Sequence, residues 1–334
     1  MDDLDFGTRD QRGYWRPKMP EGIAPLWSMP PRPMAILRWL PSYFLPWNLL
    51  FLATAAMAWA FLTPSTETLA TLSWGWIAGV FLRNWAFVGV VYGALELRLY
   101  LQRAQETRFK YNAAFPAERS GKGFLFGNQT LDNAARTLLL GVPVWSAYEV
   151  LVLHAFASGW APMSAWVSAP VWLIVVALLV PIFHQVHFYL IHRLIHLPFL
   201  FRWVHAVHHR AVNPSPWSSL AMHPVELLLY FSGVLIHLVI GSHPLLAIYQ
   251  LHFAGIGAAV GHIGFHRIEL GEDRALDTHA YAHYLHHRYF EVNYGDGLVP
   301  MDKWFGTWHD GTPEADRLME ARRARRKKPE MAQG

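Results

Sequence analysis

The chain contains no cysteine in 334 residues. That excludes disulfides, thiolate-ligated zinc and an iron–sulfur cluster held by this chain alone. Charge is also scarce: Asp, Glu, Lys and Arg together make up 16% of the residues, against about 25% in soluble domains. No Lys or Arg occurs in 42–82, 137–192 or 211–266. A nucleic-acid partner is not expected, because there is neither a basic reading face nor a recognition motif. Walker and flavin fingerprints are missing too. The first 20 residues lack an apolar stretch, so no signal peptide is expected.

Hydrophobic residues account for 53% of the chain, with 16 Trp, 13 Tyr and 20 Phe. Aromatics at this level suit a bilayer interface. Apolar runs at 42–63, about 69–102, 136–158 and 170–192 are each long enough to cross a ~30 Å hydrocarbon layer. The expected fold class is therefore all-α: an integral membrane helical bundle of about four transmembrane helices. Two runs of about 17 residues, 224–240 and 244–261, add a helical hairpin that spans, re-enters or lies at the interface. Basic residues concentrate in 1–41, in 103–136 and in Arg322–Lys328, while the loops 63–68 and 159–169 have none. The positive-inside rule then puts the N-terminus and the 103–136 loop in the cytoplasm and returns the fourth helix there. The expected organisation is a cytoplasmic segment 1–41, a membrane domain 42–309 and a basic tail 310–334.

The 19 histidines cluster. His192 and His196 form an HxxxH, as do His262 and His266. His205, His208 and His209 form an HxxHH, as do His283, His286 and His287. On a helix, positions i, i+3 and i+4 share one face. Each group therefore offers several imidazoles to one point. Ten are too many for one four-coordinate zinc and suggest two adjacent metal ions. Neutral imidazole suits Zn, Cu, Fe or Ni alike. The remaining histidines read as structural. His184 and His187 lie roughly 80° to 140° from His192 around their helix, and His154, His237, His243, His252 and His309 have no partner at ligand spacing. Gly255 to Gly261 loosely matches a dinucleotide loop, but lies in an apolar helix, where close packing is the better reading.

The order HRLIH (192–196), HAVHH (205–209), HIGFH (262–266) and HYLHHRYFEVNYG (283–295), followed by DKWFGT (302–307), resembles the fatty acid hydroxylase / sterol desaturase superfamily of membrane-bound non-haem di-iron oxygenases. The resemblance covers about 130–309. Met301 stands where members often have Trp. The resemblance implies a membrane bundle whose cytoplasmic, histidine-rich cap holds two irons on His192, His196, His205, His208, His209, His262, His266, His283, His286 and His287. His279, His223 and Asp302 are further candidates as ligands or supporting groups, and Glu226 as a carboxylate orienting a histidine. Phe188, Phe199 and Phe201 are candidate channel linings.

The implied activity is O2-dependent hydroxylation of an unactivated C–H bond in a membrane lipid, whether fatty acyl, sterol or amino-lipid. Desaturation by the same site is the nearest alternative, and a membrane zinc or copper carrier is the alternative of another class. With no redox cofactor of its own, such an enzyme needs an external electron donor, of the ferredoxin or cytochrome b5 type with its reductase.

Overall fold

A computed structural model describes residues 1–116 and 123–331. Helix dominates, and the only strands among the described residues form two small hairpins, Gly7–Arg9 with Trp15–Pro17 and Arg267–Glu269 with Ala275–Asp277. The chain opens into a bent helix pair, α1 (Pro33–Phe44) and α2 (Trp47–Leu62), with a 44° break around Pro46. Proline cannot donate the backbone bond that would carry α1 onward. Three long helices follow: α3 (Trp74–Leu101), α4 (Gln129–Ala157) and α5 (Pro170–Ile195). After the first histidines come α6 (Pro224–Leu238), α7 (Pro244–Gly261), α8 (Tyr281–Tyr289) and α9 (Pro313–Met331).

Among the described residues, four helices are long and apolar enough to cross a membrane, five if the bent pair counts as one span. The bundle is apolar outside: Phe61, Trp74, Val90, Leu139 and Val171 are all exposed. Its polar groups are inside. Arg83 pairs with Glu149, and Asn84 Nδ2 donates to Glu149 Oε2 (2.8 Å) and Ser146 Oγ (3.1 Å), all four buried. Water-exposed apolar belts of this size do not persist. In lipid, polar side chains must instead find partners within the bundle.

The helical hairpin reaches the far face. Ser164 N donates to Ser242 O (2.7 Å), Trp172 donates to the Gly241 carbonyl, and Trp166 packs on His243. The turn between α6 and α7 thus sits against the 159–169 loop, at the opposite end from the histidine boxes. The two arms match because α6 changes type. Its last seven residues are 3-10 helix, which rises about 2.0 Å per residue rather than 1.5 Å. Fifteen residues then extend about 26 Å, against about 27 Å for the 18 of α7.

α7 is the buried centre. Ala55 and Ala58 of α2 are fully buried in the core they share with Ala247, Leu251 and Ala254 of α7, and the alanines let the helices approach closely. At Gly255 a Cβ would stand 2.4 Å from the Trp145 ring. The glycine-rich run is a packing surface, as its apolar setting suggested. The basic C-terminal residues continue a helix, α9, tied to the N-terminal segment by an Arg16–Asp316 ion pair (2.8 Å). Side chains beyond Arg325 lie outside the described residues.

Candidate metal centre

Four chain segments bring nine imidazoles to the end of the bundle. α5 delivers His192 in its last turn and His196 as its C-cap. Residues His205–Arg210 form a 3-10 rather than an α-helix, whose three-residue turn still aligns His205 with His208. His262 caps the C-terminus of α7. α8 carries His283, His286 and His287 on one buried face. The nine fall into two groups: His192, His196, His205, His209 and His286, and His208, His262, His283 and His287. Within each, one nitrogen per residue lies within 4.8 Å of the others.

The nitrogens converge through Nε2. His192 meets His205 at 3.2 Å, and His286 meets His196 at 3.2 Å and His209 at 3.1 Å. In the second group, His262 meets His208 at 3.1 Å, His283 at 3.0 Å and His287 at 3.2 Å. Four of the opposite nitrogens are anchored, whereas Nδ1 of His208, His209 and His287 is buried without a partner among the described residues. Nδ1–H of His192 donates to Tyr294 O (2.8 Å), of His286 to Val292 O (2.7 Å), of His262 to Ala258 O (2.9 Å) and of His205 to Glu226 Oε1 (2.7 Å). Such bonds fix the tautomer and leave the Nε2 lone pair facing inward. Burial, then the neighbouring imidazoles, hold His205, His208, His209, His283, His286 and His287 well below the usual imidazole range. Neutral rings with opposed lone pairs about 3 Å apart repel unless a cation lies between them. Ligands at this spacing on an octahedral edge sit about 2.2 Å from the centre, close to the ~2.0–2.1 Å of a metal–imidazole bond. The donor set therefore fits two adjacent metal ions.

The tenth box histidine is elsewhere. α7 ends at Gly261, and Gly264 takes φ 74°, so HIGFH is a reversal rather than a helix face. His266 leaves the cluster, donates its backbone N–H to Phe109 O (2.8 Å), and packs on Trp15 beside Asp277. The two glycines flanking His262 were the available signal. His279 is also apart, exposed and paired with Asp277 (3.3 Å). His223 caps α6, its Nδ1 accepting from Val225 N (3.2 Å).

Asp302 touches no histidine. Its carboxylate accepts from Tyr294 N (3.0 Å), Gly295 N (2.7 Å) and Thr307 Oγ1 (2.6 Å), so it holds the turn whose Tyr294 carbonyl orients His192. Asn293 opens that turn at φ 51°, a left-handed conformation Asn tolerates. The histidines read as structural are all engaged within the fold, among them His187 with Ser232 (3.1 Å), His237 with Gln250 (2.9 Å) and His252 with Thr54 (3.0 Å).

A cavity of about 280 Å3 adjoins both groups, touching His192, His205, His208, His262 and His283. Phe188, Tyr230 and Phe253 wall it near the histidines, and Trp39, Tyr43, Trp47 and Phe51 wall it along α1 and α2. Of the expected channel linings only Phe188 faces it. Phe199 is 72% exposed, and Phe201 packs on His196 and His209 from outside. Asp296 and Gln185 also line the cavity, and no motif marked either.

Residues 176–307 match the fatty acid hydroxylase family model. This match and the sterol desaturase relatives below support a likeness to the fatty acid hydroxylase / sterol desaturase superfamily over this stretch. The match takes in all nine converging histidines. A Delta(7)-sterol 5(6)-desaturase of Gibberella zeae is 31% identical over 160 residues, covering 47% of this chain and 49% of that protein. One of Aspergillus fumigatus is 31% identical over 178 residues, covering 47% and 55%. A fatty acid hydroxylase of Mycosarcoma maydis is 30% identical over 141 residues, covering 39% and 34%. The chain thus spans about half the length of the desaturases and a third of that hydroxylase. No solved structure matches the chain. The candidate spans and this likeness support a membrane protein, and the relatives named are oxidoreductases of lipids.

Proposed function

We propose that the protein is an O2-dependent di-iron hydroxylase of a membrane lipid, with its site on the cytoplasmic side. The observation that carries this reading is two adjoining groups of inward-facing Nε2 atoms beside a cavity walled by membrane helices. Two irons bound there would supply O2 activation and the oxidation of an otherwise inert C–H bond. The chain's own residues do the rest. Tyr294 O, Val292 O, Ala258 O and Glu226 hold four of the imidazoles, those of His192, His286, His262 and His205, in one tautomer. Phe188, Tyr230 and Phe253 exclude water and position the carbon. The wall formed by α1 and α2 suits lateral entry of a lipid. A site at the end of the bundle favours an enzyme over a metal carrier, which needs its site near the bilayer midplane.

Desaturation by the same site is the second reading, favoured by the sterol desaturase relatives. Turnover under 18-O2 with lipid mass spectrometry separates the two. Hydroxylation adds one labelled oxygen; a product lacking two hydrogens and gaining no oxygen assigns the protein as a desaturase. A cysteine-free chain has no thiolate cluster to relay electrons, so NAD(P)H alone is expected to give no turnover until a ferredoxin or cytochrome b5 with its reductase is added. Arg322 to Lys328 would dock an acidic donor, and the rate should then fall with salt as the Debye length shrinks to about 10 Å at 0.1 M. Turnover with NAD(P)H and no partner protein would contradict the donor requirement.

A further inference from the structure

His184 lines the cavity and has no part in the proposed chemistry. It sits on α5, is 6% exposed, and what surface the ring retains opens into the cavity. Ring packing alone holds it, with centroids of Phe188, Tyr230 and Phe253 at 6.2, 5.6 and 5.0 Å. Neither ring nitrogen makes a hydrogen bond or ion pair among the described residues. Other polar side chains of the same cavity have spent their donors on backbone carbonyls. Ser42 Oγ donates to Trp39 O (2.7 Å), Tyr43 OH to Leu178 O (2.6 Å) and Tyr230 OH to Ala254 O (2.8 Å). A buried polar group left unpaired is costly. Water is a poor remedy, because a buried water needs two to four polar partners and the rings around His184 are largely apolar.

We infer that His184 binds the hydroxyl of a hydroxyl-bearing lipid and so selects what the cavity takes. The inference rests on the reading that the cavity binds a lipid, and it names the substrate class. A neutral imidazole carries one donor and one acceptor nitrogen. A hydroxyl answers whichever of the two faces the cavity, whereas an ester or ketone oxygen answers only the donor. A charged headgroup would lose its water inside the bundle and gain a single uncharged ring in return. His184 precedes His192 by eight residues, about 12 Å along α5. That helix starts beside the 159–169 loop and ends at the histidine boxes, so His184 lies deeper in the bundle than the metal centre. A lipid held this way keeps its hydroxyl inside the bundle and presents hydrocarbon about 12 Å away to the metals.

The test is binding without turnover, on the full-length, metal-loaded protein in detergent with O2 excluded. 1-Dodecanol and dodecane, alike but for the hydroxyl, are compared by the rise in unfolding temperature with concentration, which yields apparent Kd values. The unsubstituted protein is expected to bind dodecanol about tenfold more tightly than dodecane. His184→Phe keeps an aromatic ring and should erase that preference by weakening dodecanol alone, with metal content unchanged. His184→Gln keeps a donor and an acceptor and should retain part of the preference. If His184→Phe fails to fold, His184→Leu takes its place, with dodecane binding as the control for lost packing. Equal affinities for alcohol and alkane, or a preference that survives removal of the imidazole, would overturn the inference. Alcohol-selective binding that depends on His184, in a protein that oxidises no lipid, would leave the hydroxyl site standing and remove the hydroxylase reading. Lipid oxidation without alcohol preference would do the reverse.

Discussion

At the residue scale, the nine converging histidines and the outlying tenth make opposite predictions. Replacing His209 or His287 by Ala removes an inward-facing Nε2 from one group each, and bound iron should fall in both variants. His266→Ala should keep its metal, because that ring packs on Trp15 and Tyr111 outside the cluster. Elemental analysis of the purified proteins decides it; metal loss in His266→Ala equal to that in His209→Ala would place His266 back in the site. Glu226 acts one bond further out. Its carboxylate is buried, and among the described residues its side-chain partner is the neutral His205. Removing such an orienting group costs about 10–100-fold in metal affinity in known sites, and Glu226→Gln should fall in that range by competition with a chelator. An unchanged affinity would reduce Glu226 to a packing role.

At the scale of elements, the reversal after α7 is the piece that sorts His262 from His266. Gly264 has φ 74°, and a Cβ there would stand 2.5 Å from the Tyr100 hydroxyl and 2.9 Å from Pro214 O. Gly264→Ala is expected to cost at least ~1–3 kcal/mol of stability through backbone strain and clash. Thermal unfolding checks this, and a neutral substitution would mean that the reversal can relax. The α6–α7 hairpin sets the sidedness of the site. Because its turn meets the 159–169 loop, the two HxxHH boxes must emerge on one side. Single cysteines at Val212 and Glu291 should react with an impermeant label from the same, cytoplasmic side of sealed cells or inverted vesicles. A cysteine at Val167, in the 159–169 loop, should react from the other side. The chain's lack of native cysteine makes the readout clean. Opposite sidedness of positions 212 and 291 would contradict this topology.

At the scale of the molecule, the buried imidazoles couple folding to pH. His205, His208, His209, His283, His286 and His287 stay neutral in the folded protein well below the ordinary imidazole range. Unfolded, they take up protons near pH 6.5. The unfolded state then binds more protons than the folded one at acid pH, so stability falls as pH drops. The metal-free protein should therefore be near its stability plateau above pH 7 and lose stability steadily from about pH 6.5 downward. Replacing two of the six with Phe or Leu should flatten that slope. A stability curve level between pH 7 and 5 would contradict neutral buried rings.

The bundle, its apolar spans and the histidine boxes were legible in the sequence because each rests on local spacing: twenty apolar residues match a bilayer, and i, i+3, i+4 share a helix face. The same rule failed where its premise did. HIGFH has helical spacing but follows Gly261 and contains Gly264, so the chain reverses and only His262 points inward. Nothing local could show that HAVHH lies in a 3-10 turn, that the α6–α7 hairpin reaches the far face, or that nine imidazoles divide into five and four. These depend on contacts between residues far apart in the chain, such as His192 with Tyr294 and Ser242 with the 159–169 loop. Asp296 and Glu21 are the clearest case. Each is an unremarkable carboxylate in its own segment, 275 positions from the other. Only the closed fold sets both in the lining of one cavity.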